Sequence, residues 1–262
     1  MARLPRLDLP GIAQHIVQRG NDRQACFADD ADYLHYRQEL GEAALKHGCA
    51  LHAYVLMTNH VHLLVTPNDT GAVSKMMQAI GRRYVGCFNA RYRRTGTLWE
   101  GRFKAALVDS DRYLLTCYRY IELNPVRACM VRHPLEYRWS SHQCNGHGAH
   151  EARITPHPCY LALGTSLLER QTTYRALFDQ SVSQEDTEAL RARTQQQRAL
   201  GSERFRAQVE ALTQRAASVR PRGRPPSSVN EPDPFFAPLF GRASVLLASQ
   251  ASKVVCRQPV VQ

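Results

Sequence analysis

The chain has 262 residues, 44% of them hydrophobic, and carries a net charge of +11 with an isoelectric point near 9.5. That length supports a sizeable core plus additional C-terminal material, and no apolar run reaches the ~18 residues that a membrane-spanning helix needs. The first residues, Met1-Ala2-Arg3-Leu4-Pro5, carry charge and proline where a secretory leader is apolar, and the eight cysteines (26, 49, 87, 117, 129, 144, 159 and 256) show no Cys-x-x-Cys spacing. A cytoplasmic protein with reduced, mostly buried thiols is therefore expected.

In chain order, residues 12–18 alternate apolar and polar as a strand, and Gly20-Asn21-Asp22 turns it. Residues 30–46 read as a helix through Tyr33, Tyr36, Leu40, Ala43 and Ala44, ended by His47-Gly48. Residues 51–56 and 60–66 form a hairpin, and 71–90 a second helix with Val73, Met76, Met77, Ile80, Tyr84 and Phe88 inward. A strand over 103–108 and a helix over 111–123 follow. The fold class expected is α+β, an antiparallel sheet with helices packed on one face, in the ferredoxin-like manner, plus a C-terminal helical extension.

The segment Met57-Thr58-Asn59-His60-Val61-His62-Leu63-Leu64-Val65 sets two imidazoles on one strand face while Val61, Leu63 and Val65 look the other way. Paired histidines on an open face suit a divalent ion; they also suit surface or core positions, and His-x-His by itself does not decide. The third helix carries Leu114, Tyr118 and Ile121 as a core stripe, whereas Tyr120 and Asn124, four apart, share another face. A tyrosine hydroxyl near two imidazoles is what a metal-assisted attack on a DNA phosphodiester requires. Glu100 and Glu122 are the acidic neighbours, read as structural.

Positive charge is concentrated over residues 75–104, where Lys75, Arg82, Arg83, Arg91, Arg93, Arg94, Arg102 and Lys104 face only Glu100, a local excess of +7. Tyr84, Phe88, Tyr92 and Trp99 are interleaved with these cations. Cations on phosphates and rings on bases suit single-stranded or hairpin nucleic acid. For Tyr84 and Phe88 a core position is the better reading, and for Arg91, Arg93 and Arg94 phosphate contact is.

Taken together, Asn59-His60-Val61-His62 with Leu63-Leu64-Val65, Leu98-Trp99-Glu100-Gly101-Arg102-Phe103, and Tyr120-Ile121-Glu122-Leu123-Asn124-Pro125-Val126-Arg127-Ala128 resemble the HUH-type single-tyrosine transposases, most closely the REP-associated tyrosine transposases. Gln18-Arg19-Gly20-Asn21 and Tyr137-Arg138-Trp139-Ser140-Ser141 share the likeness, which covers roughly residues 5 to 145. The resemblance implies that His60, His62 and Asn124 hold Mg²⁺ or Mn²⁺ and that Tyr120 is the nucleophile. Cys129 stands where that family commonly has glycine.

The resemblance further implies a single-strand endonuclease and strand transferase forming a 5′-phosphotyrosine on REP-like hairpin DNA. The rival readings are a catalytically silent, domesticated hairpin-binding protein and an unrelated metallohydrolase. Monomer and homodimer stay open. The domain expectation is a catalytic domain over 1–148, a basic helical extension over 149–220, and a disordered tail over 221–262. In the extension, two helices over 184–199 and 202–216 present Phe205, Val209 and Leu212 on a packing face, and either DNA contact or simple packing would explain them. In the tail, Pro221-Arg222-Gly223-Arg224-Pro225 reads either as an AT-hook-like segment, with Arg222 and Arg224 in a minor groove, or as a solvated linker.

Overall fold

The computed structural model describes residues 6–110 and 113–219. Its centre is a four-stranded antiparallel sheet of β1 (Gln14–Arg19), β2 (Cys49–Met57), β3 (His60–Pro67) and β4 (Lys104–Leu107), in the order β2-β3-β1-β4. The expected tail over 221–262, with Arg222 and Arg224, lies outside the described residues.

Local chemistry sets the boundaries of the first elements. Helix α1 (Asp30–Lys46) starts at a capping box: the Asp29 side chain accepts from the Asp32 backbone, and Asp32 accepts in return. It ends at Gly48, whose φ of 62° reverses the chain into β2. The two-residue turn Thr58-Asn59 then pairs Met57 with His60 and fixes the hairpin register. Register matters here because slipping by one residue would exchange His60 and His62 for Val61 and Leu63 across the sheet.

Helix α2 (Ala72–Arg91) packs on α1, and both lie on β2. The face they cover is the one bearing Tyr54 and Leu63: Arg37 of α1 and Tyr54 of β2 both bond to Glu151. The reverse face, which carries His15, His60 and His62, is covered as well. Helix α3 (Leu114–Glu122) lays Tyr120 against it, and α8 (Gln184–Gln196) packs on β4 and β1. The helical layer expected from the sequence is thus α1 and α2, and a second layer closes the histidine face.

Between these, α4 (Asn124–Arg127), α5 (His142–His147), α6 (Pro158–Leu161) and α7 (Leu167–Ala176) build a small cluster behind α3, and α9 (Glu203–Thr213) follows α8. Residues beyond 148 close both sheet edges. Ile154 bridges to Leu51 on β2, and Leu200 bridges to Val108 just past β4, with Leu200 N–H donating to Leu107. The described residues accordingly form one compact unit. In α9, Val209 is buried with Leu107, Ala199 and Ala217, whereas Leu212, expected inward, is 72% exposed, because the packed face meets only one turn of the helix.

The seven described cysteines are free; Cys87 and Cys129 are exposed, contrary to the expectation of burial. Among the described residues, no helix is long and apolar enough to cross a membrane.

Candidate active site

Strand alternation puts His60 and His62 on one face, and the β1 pairing of Val17 with His62 brings His15 onto that same face. The His60 and His62 rings have centroids 5.1 Å apart. Helix α3 comes down over them so that the Tyr120 ring stands edge-on to His62 at 5.8 Å and to His15 at 5.7 Å. The structure therefore brings Tyr120 of α3 against His62 of β3, with His60 beside His62 on the same strand.

Hydrogen bonds fix the ring nitrogens. Asn59 donates its Nδ2 to the Arg23 carbonyl, so its Oδ1 faces His60 Nδ1 at 2.7 Å and can only accept; His60 is protonated at Nδ1, leaving Nε2 as a lone pair. His62 Nδ1 is bonded to His15 Nε2 at 2.8 Å. Neither His60 Nε2 nor His62 Nε2 has a hydrogen-bond partner among the described residues. Burial lowers the pKa of His60 to about 4, of His15 to about 3, and of His62 well below 6.5, so all three rings are neutral near pH 7. Neutral imidazoles with free Nε2 lone pairs are what a cation requires of them.

Asn124 opens α4, directly after α3. Its Nδ2 donates to the carbonyls of Tyr120 at 3.1 Å and Ile121 at 3.3 Å, which turns Oδ1 away from them as a possible oxygen ligand. It makes no hydrogen bond to either imidazole. Among the described residues, no group of three His, Cys, Asp or Glu forms a metal cluster, so the candidate donor set is two imidazoles and one amide oxygen.

Two residues without an assigned role in the sequence belong here. Arg127 lies over the Tyr120 ring, and its place seven residues on, two helical turns, was the available signal. His15 gave only the weak signal of a histidine on an alternating strand. Glu122, by contrast, is fully buried and accepts from Ser141 (2.6 Å), Asn145 (2.9 Å), Tyr174 (2.8 Å) and His142 (2.8 Å), a structural hub as its reading implied.

The basic segment divides into spent and open charges. Arg83 pairs with Glu39 and Glu42, and Arg91 with Asp29 and Asp32, which satisfies the cations expected to meet phosphate. Arg94 lies 5.5 Å over the Phe88 ring and bonds to Gln24, and Lys104 bonds to Gln195. Arg82, Arg93 and Arg102 are exposed with no ion pair among the described residues. Tyr84, Phe88 and Trp99 are buried and Tyr92 is bonded to Asp32, so the interleaved rings build core and are not stacking platforms. Arg102 and Lys104, with Glu100, Phe103 and Gln197, line a cleft of about 380 Å³ at the β4 edge.

A family model described as "Transposase IS200 like" matches residues 9–124. Among solved structures, a REP-associated tyrosine transposase bound to a REP hairpin is 15% identical, with a TM-score of 0.48 over 60% of this chain and 99% of that one. A putative transposase from Deinococcus radiodurans R1 is 22% identical, with a TM-score of 0.32 over 50% of this chain and 91% of that one. No curated protein matches the chain.

Proposed function

The chain belongs, over residues 9–124, to the family of IS200-like transposases, and from that membership we propose that it cuts and rejoins single-stranded DNA at REP-like hairpins through Tyr120. The observation that carries this reading is the edge-on contact of the Tyr120 ring with His62, which brings a phenol from α3 against an imidazole from β3.

In the proposed step, Tyr120 Oη attacks phosphorus, the new Oη–P bond replaces the P–O3′ bond, and the phenolic proton is matched by one taken up at the departing 3′-oxygen. The product is a 5′-phosphotyrosine and a free 3′-hydroxyl. Because one phosphodiester replaces another, a second 3′-hydroxyl reverses the step and joins strands without an external energy source. His60, His62 and Asn124 are the residues that would hold Mg²⁺ or Mn²⁺, the latter tolerating nitrogen ligands better. The ion supplies charge neutralisation at the scissile phosphate when bound.

Around this step the chain's own side chains position and hold charge. Arg127 fixes the Tyr120 ring from one face, and Asn59 orients His60. The exposed Arg93 and Arg102 supply phosphate contacts for the hairpin. Incubation with a labelled single-stranded hairpin tests the reading: the natural protein yields a denaturant-stable protein–DNA adduct, and Tyr120→Phe yields none. Equal cleavage by both proteins rejects Tyr120 as the nucleophile, and hairpin binding with no cleavage by the natural protein rejects the catalytic reading. Replacing His60 and His62 together by alanine is expected to abolish cleavage while retaining most hairpin affinity.

A further inference from the structure

Thr194 belongs to α8, far beyond the family-matched segment, yet it ends a buried chain that reaches His62. Its Oγ1 lies 2.9 Å from His15 Nδ1, and His15 Nε2 lies 2.8 Å from His62 Nδ1. His15, His62 and Thr194 are each 5% exposed or less. The two imidazoles are 12° from coplanar with centroids 5.1 Å apart, which is an end-to-end hydrogen bond in a common plane; a face-to-face stack would bring the rings closer.

Two ring nitrogens sharing one bond need one donor and one acceptor, so the chain has two proton arrangements. In the first, His62 Nδ1–H donates to His15 Nε2, His15 Nδ1–H donates to Thr194, and His62 Nε2 keeps its lone pair. In the second, each proton sits one bond over: Thr194 donates to His15, His15 donates to His62, and His62 Nε2 carries hydrogen and cannot take a cation.

We propose that Thr194, acting through His15, is a positioning residue that holds the first arrangement and so keeps His62 Nε2 available as a ligand; this rests on the metal-site reading above. The hydroxyl is what makes the first arrangement possible, because it accepts from a buried Nδ1–H that would otherwise be orphaned. The positive charge of Arg127, packed on the Tyr120 ring against these histidines, also favours a lone pair over an N–H at the outer nitrogen. The C-terminal extension thereby sets the chemistry of the His-x-His motif from the layer that covers the histidine face.

The test is long-range ¹H–¹⁵N correlation of the imidazoles in the full-length protein at pH 7, paired with titration by Mn²⁺ alone. The natural protein and Thr194→Ser should show His62 protonated at Nδ1. Thr194→Val, unable to accept, should move that proton to Nε2 and weaken Mn²⁺ binding about tenfold or more. Finding His62 protonated at Nε2 in the natural protein overturns the proposal, a result that needs no variant to fold. The same tautomer in a folded Thr194→Val protein overturns it too. Failure of Mn²⁺ to bind a natural protein that shows the expected tautomer and its shift rejects the metal-site reading and leaves the relay standing.

Discussion

Arg127 lies with its Cζ 4.1 Å from the centre of the Tyr120 ring, while its Nη2 donates at 2.8 Å to the Tyr120 carbonyl. Among the described residues it has no carboxylate partner, and its Nη1 is buried without any hydrogen bond. A desolvated cation on an aromatic face contributes up to about 2 kcal/mol. If that contact aligns the nucleophile, Arg127→Met lowers the single-turnover cleavage rate roughly 30-fold with little change in hairpin affinity. An unchanged rate removes Arg127 from the reaction; an equal loss of affinity reassigns it to DNA binding.

The reading of Glu122 as structural has its own test. Four donors converge on a carboxylate with no exposure, tying α3 to α5 and α7 two residues from Tyr120. Glu122→Ala leaves several buried donors unsatisfied and is expected to destabilise the protein by about 3–5 kcal/mol in denaturant unfolding. Glu122→Gln costs less, and its cleavage rate per folded molecule stays that of the natural protein. A large rate loss in folded Glu122→Gln would instead make Glu122 the base.

Much of this architecture was legible because local signals and tertiary demands agree. The helix read over 30–46 is the observed α1, since its capping box and Gly48 act within a few residues. His60 and His62 share a face for the same local reason. What was illegible depends on distant contacts: α5 to α7 are short helices held by the Glu122 cluster, and the pairing of Arg83 and Arg91 with acids on α1 spans more than 40 residues. The closed histidine face could not be read either, because Thr194 reaches it from 179 residues beyond His15.

Cys129 occupies a position built for glycine. Its φ is 55°, and the bonds from Cys129 N–H to Val126 and from Met130 N–H to Pro125 form the left-handed termination of α4. An L-residue in this conformation is strained by about 1–2 kcal/mol, partly offset by the greater chain entropy of glycine when unfolded. Cys129→Gly should therefore raise stability by about 0.5–1 kcal/mol, read as a higher thermal midpoint. A lower midpoint would show that the cysteine side chain makes a compensating contact.

Buried neutral histidine makes stability fall in acid. His52 donates from Nδ1 to the Thr155 carbonyl at 2.7 Å and accepts at Nε2 from Thr66 at 2.8 Å, and burial lowers its pKa from 6.5 to about 4. Between these values the unfolded chain binds a proton that the folded chain does not. The stabilisation is complete above pH ~6.5 and declines by roughly 1.4 kcal/mol per pH unit as pH falls toward 4. In denaturant unfolding from pH 7 to 4 this contribution adds to those of His15, His60 and His62, and His52→Gln should flatten the total slope by about one proton; an unaltered slope rejects the assignment.

The division of the basic segment into paired and open arginines predicts different phenotypes for adjacent residues. Arg93 and Arg102 are exposed and carry no ion pair among the described residues, so each is free to displace counterions from a phosphate. Neutralising either with glutamine should weaken hairpin binding across sequences and reduce the slope of log Kd against log salt by about one. Arg83 and Arg91 already face two carboxylates each, and moving them onto DNA would expose those acids to the same phosphates. Arg83→Gln and Arg91→Gln should leave the salt slope unchanged and lower stability only slightly, because both guanidinium groups are exposed to solvent. Titration of one labelled hairpin at several salt concentrations separates the two groups, and a reduced slope for Arg91→Gln would show that its pair with Asp29 opens when DNA binds.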